Sequence, residues 1–168
     1  MKILVVSDSH GKQNFMYHCM DAVKPDQVIH LGDHYKDAEK LSRDYPRIRV
    51  HMVPGNCDSS RGFDAPPLVM CYDIAGVRMF MTHGHLHGVK LDIYHLLADA
   101  WEKEARIALF GHTHDALCYQ TEDGMWVVNP GSCRTFDGSV ALIEAEDGKI
   151  SACRILRQAD IEVMQGRG

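Results

Sequence analysis

Two histidines one residue apart, His112 and His114, follow a short apolar run, Ile107 to Phe110, that Gly111 cuts off. The run reads as a buried strand and the histidines as the loop beyond its end. In open α/β sheets ligands bind at the loops past strand C-termini, and on an extended backbone residues i and i+2 point the same way. Imidazole nitrogens suit zinc, iron, nickel and manganese-type ions. The arrangement recurs: Asp8 and His10 follow Ile3 to Val6, Asp33 follows Val28 to Leu31, Asn56 follows Val50 to Val53, and His83 follows Arg78 to Met81. The set is two carboxylates, one amide and four imidazoles, with no thiolate. That is too many donors for one tetrahedral zinc. It suits two adjacent divalent ions sharing one carboxylate, a device for displacement at phosphorus by a hydroxide bridging the ions.

The elements that must position these residues are legible as alternating strands and helices. Ile3 to Val6 is a continuous aliphatic run, as in a strand buried on both faces. Phe15, Cys19 and Ala22, flanked by Met16, Met20 and Val23, form a helical face that Pro25 ends. Ala38, Leu41 and Tyr45 mark a second helix before Pro46. Three strand–loop units separated by helices predict a parallel sheet of βαβ crossovers in the N-terminal half. Residues 59–67 have no period and read as a loop, with Arg61 as a solvated charge rather than a phosphate contact. Val69 to Tyr72 and Arg78 to Met81 read as a strand pair. Leu91, Tyr94, Ala98, Trp101 and Ala105, widened by Leu97, predict a longer helix with Tyr94 and Trp101 in its core face. Antiparallel strands are then expected at 116–119, 126–129, 140–144 and 150–156, joined by turns at Asp123-Gly124, Pro130-Gly131 and Asp147-Gly148. The last dozen residues are polar and read as a flexible tail.

At 168 residues the chain reads as a single domain spanning 1–168. A net charge of -5 without a basic block argues against a nucleic-acid partner. No apolar run approaches a membrane span, and the start leads straight into a polar turn, so a cytoplasmic location is expected. Cys19, Cys57, Cys71, Cys118, Cys133 and Cys153 are scattered, form no CxxC, and read as reduced, mostly buried small hydrophobes.

Taken in order, Asp8-x-His10, Gly32-Asp33, Gly55-Asn56-Cys57-Asp58, His83-Gly84-His85 and Gly111-His112-x-His114 resemble the motif series of the calcineurin-like metallophosphoesterases. The length, the Gly-Asn-Cys-Asp form and the Asn129-Pro130-Gly131-Ser132 turn resemble the small YfcE-like phosphodiesterase branch. The resemblance implies an α/β fold, a four-layer αββα sandwich with mixed sheets. It implies one metal on Asp8, His10, Asp33 and His114 and a second on Asp33, Asn56, His83 and His112, with Asp33 bridging. Manganese is the expected ion, with nickel, iron or zinc as alternatives. The implied activity is a dinuclear phosphoesterase acting on phosphodiesters, as a possible dimer or tetramer. Asn56 and His112 would lie near the phosphoryl oxygens and, with Asp33 and Cys57, make up the catalytic set. Cys57 departs from the wider superfamily, where many relatives carry a histidine, and His85 is a candidate to take over its acid role. Asp58 reads as a brace for Asn56 and His10 or as a plain turn residue. The competing readings are a phosphatase acting on monoesters and a scaffold of the same fold working through protein contacts, like a similar retromer subunit.

Overall fold

The computed structural model describes residues 1–58, 66–135 and 137–166; Arg61 lies outside them. The N-terminal half runs β1 (Lys2–Val6), α1 (Asn14–Val23), β2 (Gln27–His30), α2 (Tyr35–Asp44) and β3 (Arg49–Met52). Next come β4 (Val69–Ile74), β5 (Val77–Thr82), α3 (Tyr94–Glu102), β6 (Ile107–Leu109), β7 (Leu117–Gln120) and β8 (Trp126–Asn129). The chain closes with β9 (Ser139–Glu146), β10 (Lys149–Arg157) and α4 (Gln158–Gln165).

Two five-stranded mixed sheets result, ordered β10-β9-β1-β2-β3 and β4-β5-β6-β8-β7. The strands β1, β2 and β3 are mutually parallel, as βαβ crossovers require. A further crossover through α3 sets β5 parallel to β6. The period-2 alternation of a strand decides the layering. Ile3 and Val5 join Met79, Met81, Ile107 and Leu109 in a core between the sheets. Leu4 and Val6 face the opposite way, onto Phe15, Met16 and Met20 of α1 and Leu41 of α2. On the far side, Phe80, Ala108 and Val127 pack against Leu96 and Ala100 of α3. The layers are therefore helix, sheet, sheet, helix, the sandwich that the motif resemblance implies.

Three local expectations need correction. The buried face of α3 is Leu96 and Ala100, whereas Tyr94 and Trp101 are 79% and 60% exposed. The spacing was right for a helix, but the helix is nine residues, shorter than α1 and α2, and leaves Leu91 and Ala105 outside it. The choice of stripe was also rotated, because Ile93, Leu96, Leu97 and Ala100 offer an equally apolar and better placed face. Next, the four C-terminal strands are not one antiparallel meander. The pairs β7–β8 and β9–β10 are each antiparallel, but β8 is parallel to β6, and the chain then leaves that sheet to place β9 beside β1. The Pro130-Gly131 segment is thus a crossing between sheets rather than a hairpin turn. Finally, the supposed flexible tail contains α4. Its Ile161 is buried against the α1 layer with Met164 beside it, and the Arg157 N–H donates to Asp160 Oδ2 at 2.8 Å at its start. Among the described residues, no helix is long and apolar enough to cross a membrane.

One edge of the sandwich is clasped by His51 on β3. The ring of His51 is buried, with Nε2 2.6 Å from Gln27 Oε1 and Nδ1 against the Tyr72 hydroxyl of β4. Burial pushes the His51 imidazole down to about 4. The unfolded chain takes up this proton near pH 6.5 and the folded chain only near 4. Stability present above pH 6.5 is therefore lost as the pH falls towards 4, by up to about 3 kcal/mol from this ring. In urea unfolding at pH 7.5 and 5.0, His51→Gln is expected to flatten the difference by on the order of 2 kcal/mol.

Candidate metal centre

The five motif loops all leave the C-terminal ends of parallel strands, β1, β2 and β3 from one sheet and β5 and β6 from the other. Backbone hydrogen bonds join neighbouring loops within each sheet, Asp8 N–H to Gly32 O at 2.9 Å in one and Gly111 N–H to His83 O at 3.1 Å in the other. The His112 N–H reaches across the sandwich to Asp8 Oδ2 at 3.1 Å. The approach is close enough to demand glycine. A Cβ on Gly111 would fall 2.0 Å from Ser7 Oγ, and one on Gly55 2.1 Å from Asp33 Oδ1. The side chains are not aimed by extended backbone, as the i, i+2 spacing suggested. Asp8, His10, Asp33, His112 and His114 all adopt positive φ, between 47° and 69°. Left-handed residues turn successive donors into one concavity, at the expense of backbone strain.

Six ionisable donors converge there. Asp8 Oδ1 lies 3.1 Å from His114 Nε2 and 4.0 Å from both His10 Nε2 and His83 Nε2. Asp33 directs its two oxygens to different neighbours, Oδ1 to His83 Nε2 at 3.4 Å and Oδ2 to His10 Nε2 at 3.8 Å. His83 Nε2 and His112 Nδ1 are 3.2 Å apart. The donors thus fall into two clusters, Asp8 with His10 and His114, and Asp33 with His83 and His112. Asp33 also groups with His10 and Cys57, so it stands between the two. Asn56 is exposed on the rim, with its amide nitrogen 3.5 Å from Cys57 Sγ.

Several features fit this pit to a cation. Asp8 Oδ1 and His10 Nε2 are buried without a hydrogen-bond partner, a costly state unless a ligand supplies the missing contact. His83 Nδ1 lies 2.7 Å from Leu31 O. A hydrogen bond from Nδ1–H to that carbonyl fixes the ring and turns Nε2 towards Asp33. Burial raises the Asp33 carboxyl, but the Cys57 N–H at 2.9 Å and the nearby His83 outweigh it and hold the group below its usual range. The same carboxylate, with partial burial, pushes the Cys57 thiol up, so Cys57 is a neutral thiol.

Residues 1–148 match the calcineurin-like phosphoesterase superfamily domain. The chain belongs to that superfamily. It is 33% identical to the probable metallophosphoesterase YsnB of Bacillus subtilis over 138 residues, 80% of this chain and 76% of the relative. A probable metallophosphoesterase of Mycoplasma pneumoniae is 30% identical over 134 residues, 78% of each chain. Among solved structures, a predicted phosphoesterase from Streptococcus pneumoniae TIGR4 superposes with a TM-score of 0.71 at 29% identity, covering 94% of this chain and 90% of that one. Wild-type Vps29 from Entamoeba histolytica, solved with zinc, gives a TM-score of 0.70 at 20% identity, covering 93% and 97%, and shares the fold.

The loops of the phosphoesterase are braced by residues that lie outside the donor set. Asn129 Nδ2 donates to Gly111 O at 3.0 Å and Thr113 Oγ1 at 2.9 Å, on both sides of His112. Ser132 Oγ donates to Asp8 O at 2.8 Å. The Asn129–Ser132 segment thus supports the site from beneath. Asp58 takes the turn role, accepting from Gly55 N–H at 2.8 Å, and in addition accepts from Tyr35 N–H at 2.6 Å and His34 N–H at 3.1 Å at the start of α2. His85 borders the pit, its ring centroid 5.5 Å from His83 and 6.2 Å from His112. Sequence reasoning missed Asp37. It is buried and accepts from Ser9 Oγ at 2.6 Å and Gly11 N–H at 2.9 Å, holding the loop that carries His10. Its one sequence signal is an acid in the first turn of a helix, which is common and unspecific. Asn129→Ala is expected to weaken divalent-metal affinity by roughly 10–100-fold, read by calorimetric titration of metal-stripped protein. Unchanged affinity would make the brace irrelevant to the centre.

Proposed function

We propose that this phosphoesterase is a dinuclear enzyme that hydrolyses phosphodiesters. The supporting observation is Asp33, whose two oxygens point to the two separate donor clusters. Asp8, His10 and His114 would hold one divalent ion and Asn56, His83 and His112 the other, with Asp33 serving both. Manganese is the expected occupant on the family resemblance; the donor set itself, carboxylate and imidazole without thiolate, suits nickel, iron and zinc as well. Such ions supply Lewis acidity towards phosphoryl oxygens and ionise water near neutral pH. The chain's own contribution is orientation. Leu31 O fixes the His83 ring, the His112 N–H donates to Asp8 Oδ2 at 3.1 Å, and Asn56 and His112 would lie near the phosphoryl oxygens of a bound substrate.

Cys57 supports the preference for diesters. A neutral thiol neither adds positive charge nor protonates a strongly basic alkoxide, so substrates with good leaving groups are favoured. The measurement is a matrix of chromogenic mono- and diesters against manganese, nickel, zinc and magnesium on metal-stripped protein. Diester hydrolysis restored by manganese is expected, with Asp33→Asn lowering it by at least about 100-fold. Cys57→His is expected to shift the rate ratio towards monoesters by about 10-fold or more. An unchanged ratio would remove position 57 from the specificity argument. No hydrolysis in any combination would leave the protein-contact reading that the Vps29 fold likeness invites.

A further inference from the structure

The sandwich edge opposite His51 is closed by sulfur. Cys118 lies on β7, the edge strand of one sheet, and Cys153 on β10, the edge strand of the other. Both side chains pack against the core between the sheets and both are half-buried. Their Sγ atoms are 3.2 Å apart, in hydrogen-bond contact, although 35 residues separate them in the chain. A disulfide needs about 2.05 Å between sulfurs, so closure requires a movement of roughly 1.2 Å, within reach of small side-chain rotations. The contact with Cys153 holds the Cys118 thiol below its ordinary range, whereas the same contact and burial push Cys153 up. Cys118 is therefore the thiolate-forming partner and the better first nucleophile.

We propose that Cys118 and Cys153 are a thiol–disulfide exchange site whose co-substrate is a low-molecular-weight disulfide, and that the bond it forms reversibly staples the two sheets. Cys118 thiolate attacks one sulfur of the small disulfide, and the expelled thiolate takes up the proton that Cys118 gave up. Cys153, deprotonated in turn, attacks Cys118 Sγ and expels the second small thiol. The protein pair loses two electrons and two protons, and one small disulfide becomes two thiols. The staple lies near the metal centre in the fold. Cys118 pairs with Val128 and its neighbour Leu117 with Asn129, the residue that braces the His112 loop.

The test uses the full chain in its manganese-loaded form, incubated with oxidised glutathione. The intact mass is expected to fall by two hydrogens, and digestion is expected to give a single linked pair of peptides carrying Cys118 and Cys153. The thermal midpoint should rise by roughly 5–10 °C, and dithiothreitol should reverse it. Cys153→Ser, or Cys118→Ala if that variant does not fold, should abolish the rise. A persistent glutathione adduct on Cys118 in the wild-type chain would overturn the proposal. So would linkage of other cysteines only, or a 118–153 bond that leaves the midpoint unchanged.

Discussion

Two carboxylates buried within one pit, Asp8 and Asp33, set the constraint on which the rest of this molecule depends. Carboxylates taken that far from water need hydrogen bonds or a counter-charge to be tolerated. Three imidazoles approach Asp8 Oδ1, yet none forms an aligned hydrogen bond with it. The missing contact is the kind a cation supplies. The surrounding chain spends its polar groups on holding the donors in place: Leu31 O on His83, Cys57 N–H on Asp33, and Ser7 Oγ and His112 N–H on Asp8.

The two-sheet architecture makes that concentration of donors possible. One parallel sheet alone presents its loops along a line. Here two sheets, each with parallel strands at its centre, bring loops from both to one end of the sandwich. Alternating side chains on β1 glue it to the partner sheet on one face and to α1 on the other. The donors then have little freedom to retreat, because Gly55 and Gly111 leave less than a methyl group of space between the loops.

Much of this was legible in the sequence because the site is written in local punctuation. An aliphatic run followed by Gly, Asp, Asn or His tells both where a strand stops and what it delivers. The βαβ half followed from that, the superfamily from the ordered motifs, and the layer order from the superfamily resemblance alone. What escaped was decided by distant partners. Tyr94 and Trp101 fit a helical stripe as well as Leu96 and Ala100 do, and only the position of the sheet chooses between them. Ile161 and Met164 are too few to announce a helix until α1 is there to receive them. Asp37 looked like any helix-start acid, and Cys118 and Cys153 share no spacing signal because their proximity arises where β8 passes the chain from one sheet to the other.

The left-handed backbone at five of the donor positions carries a consequence for handling the protein. Non-glycine residues held there cost of order 1 kcal/mol each relative to relaxed turns, a strain that the binding energy of an ion would offset. Ion uptake and folding then draw on the same reservoir. Chelators in a storage buffer, or traces of metal shed by a purification column, would register as apparent changes in heat tolerance before any substitution had been introduced.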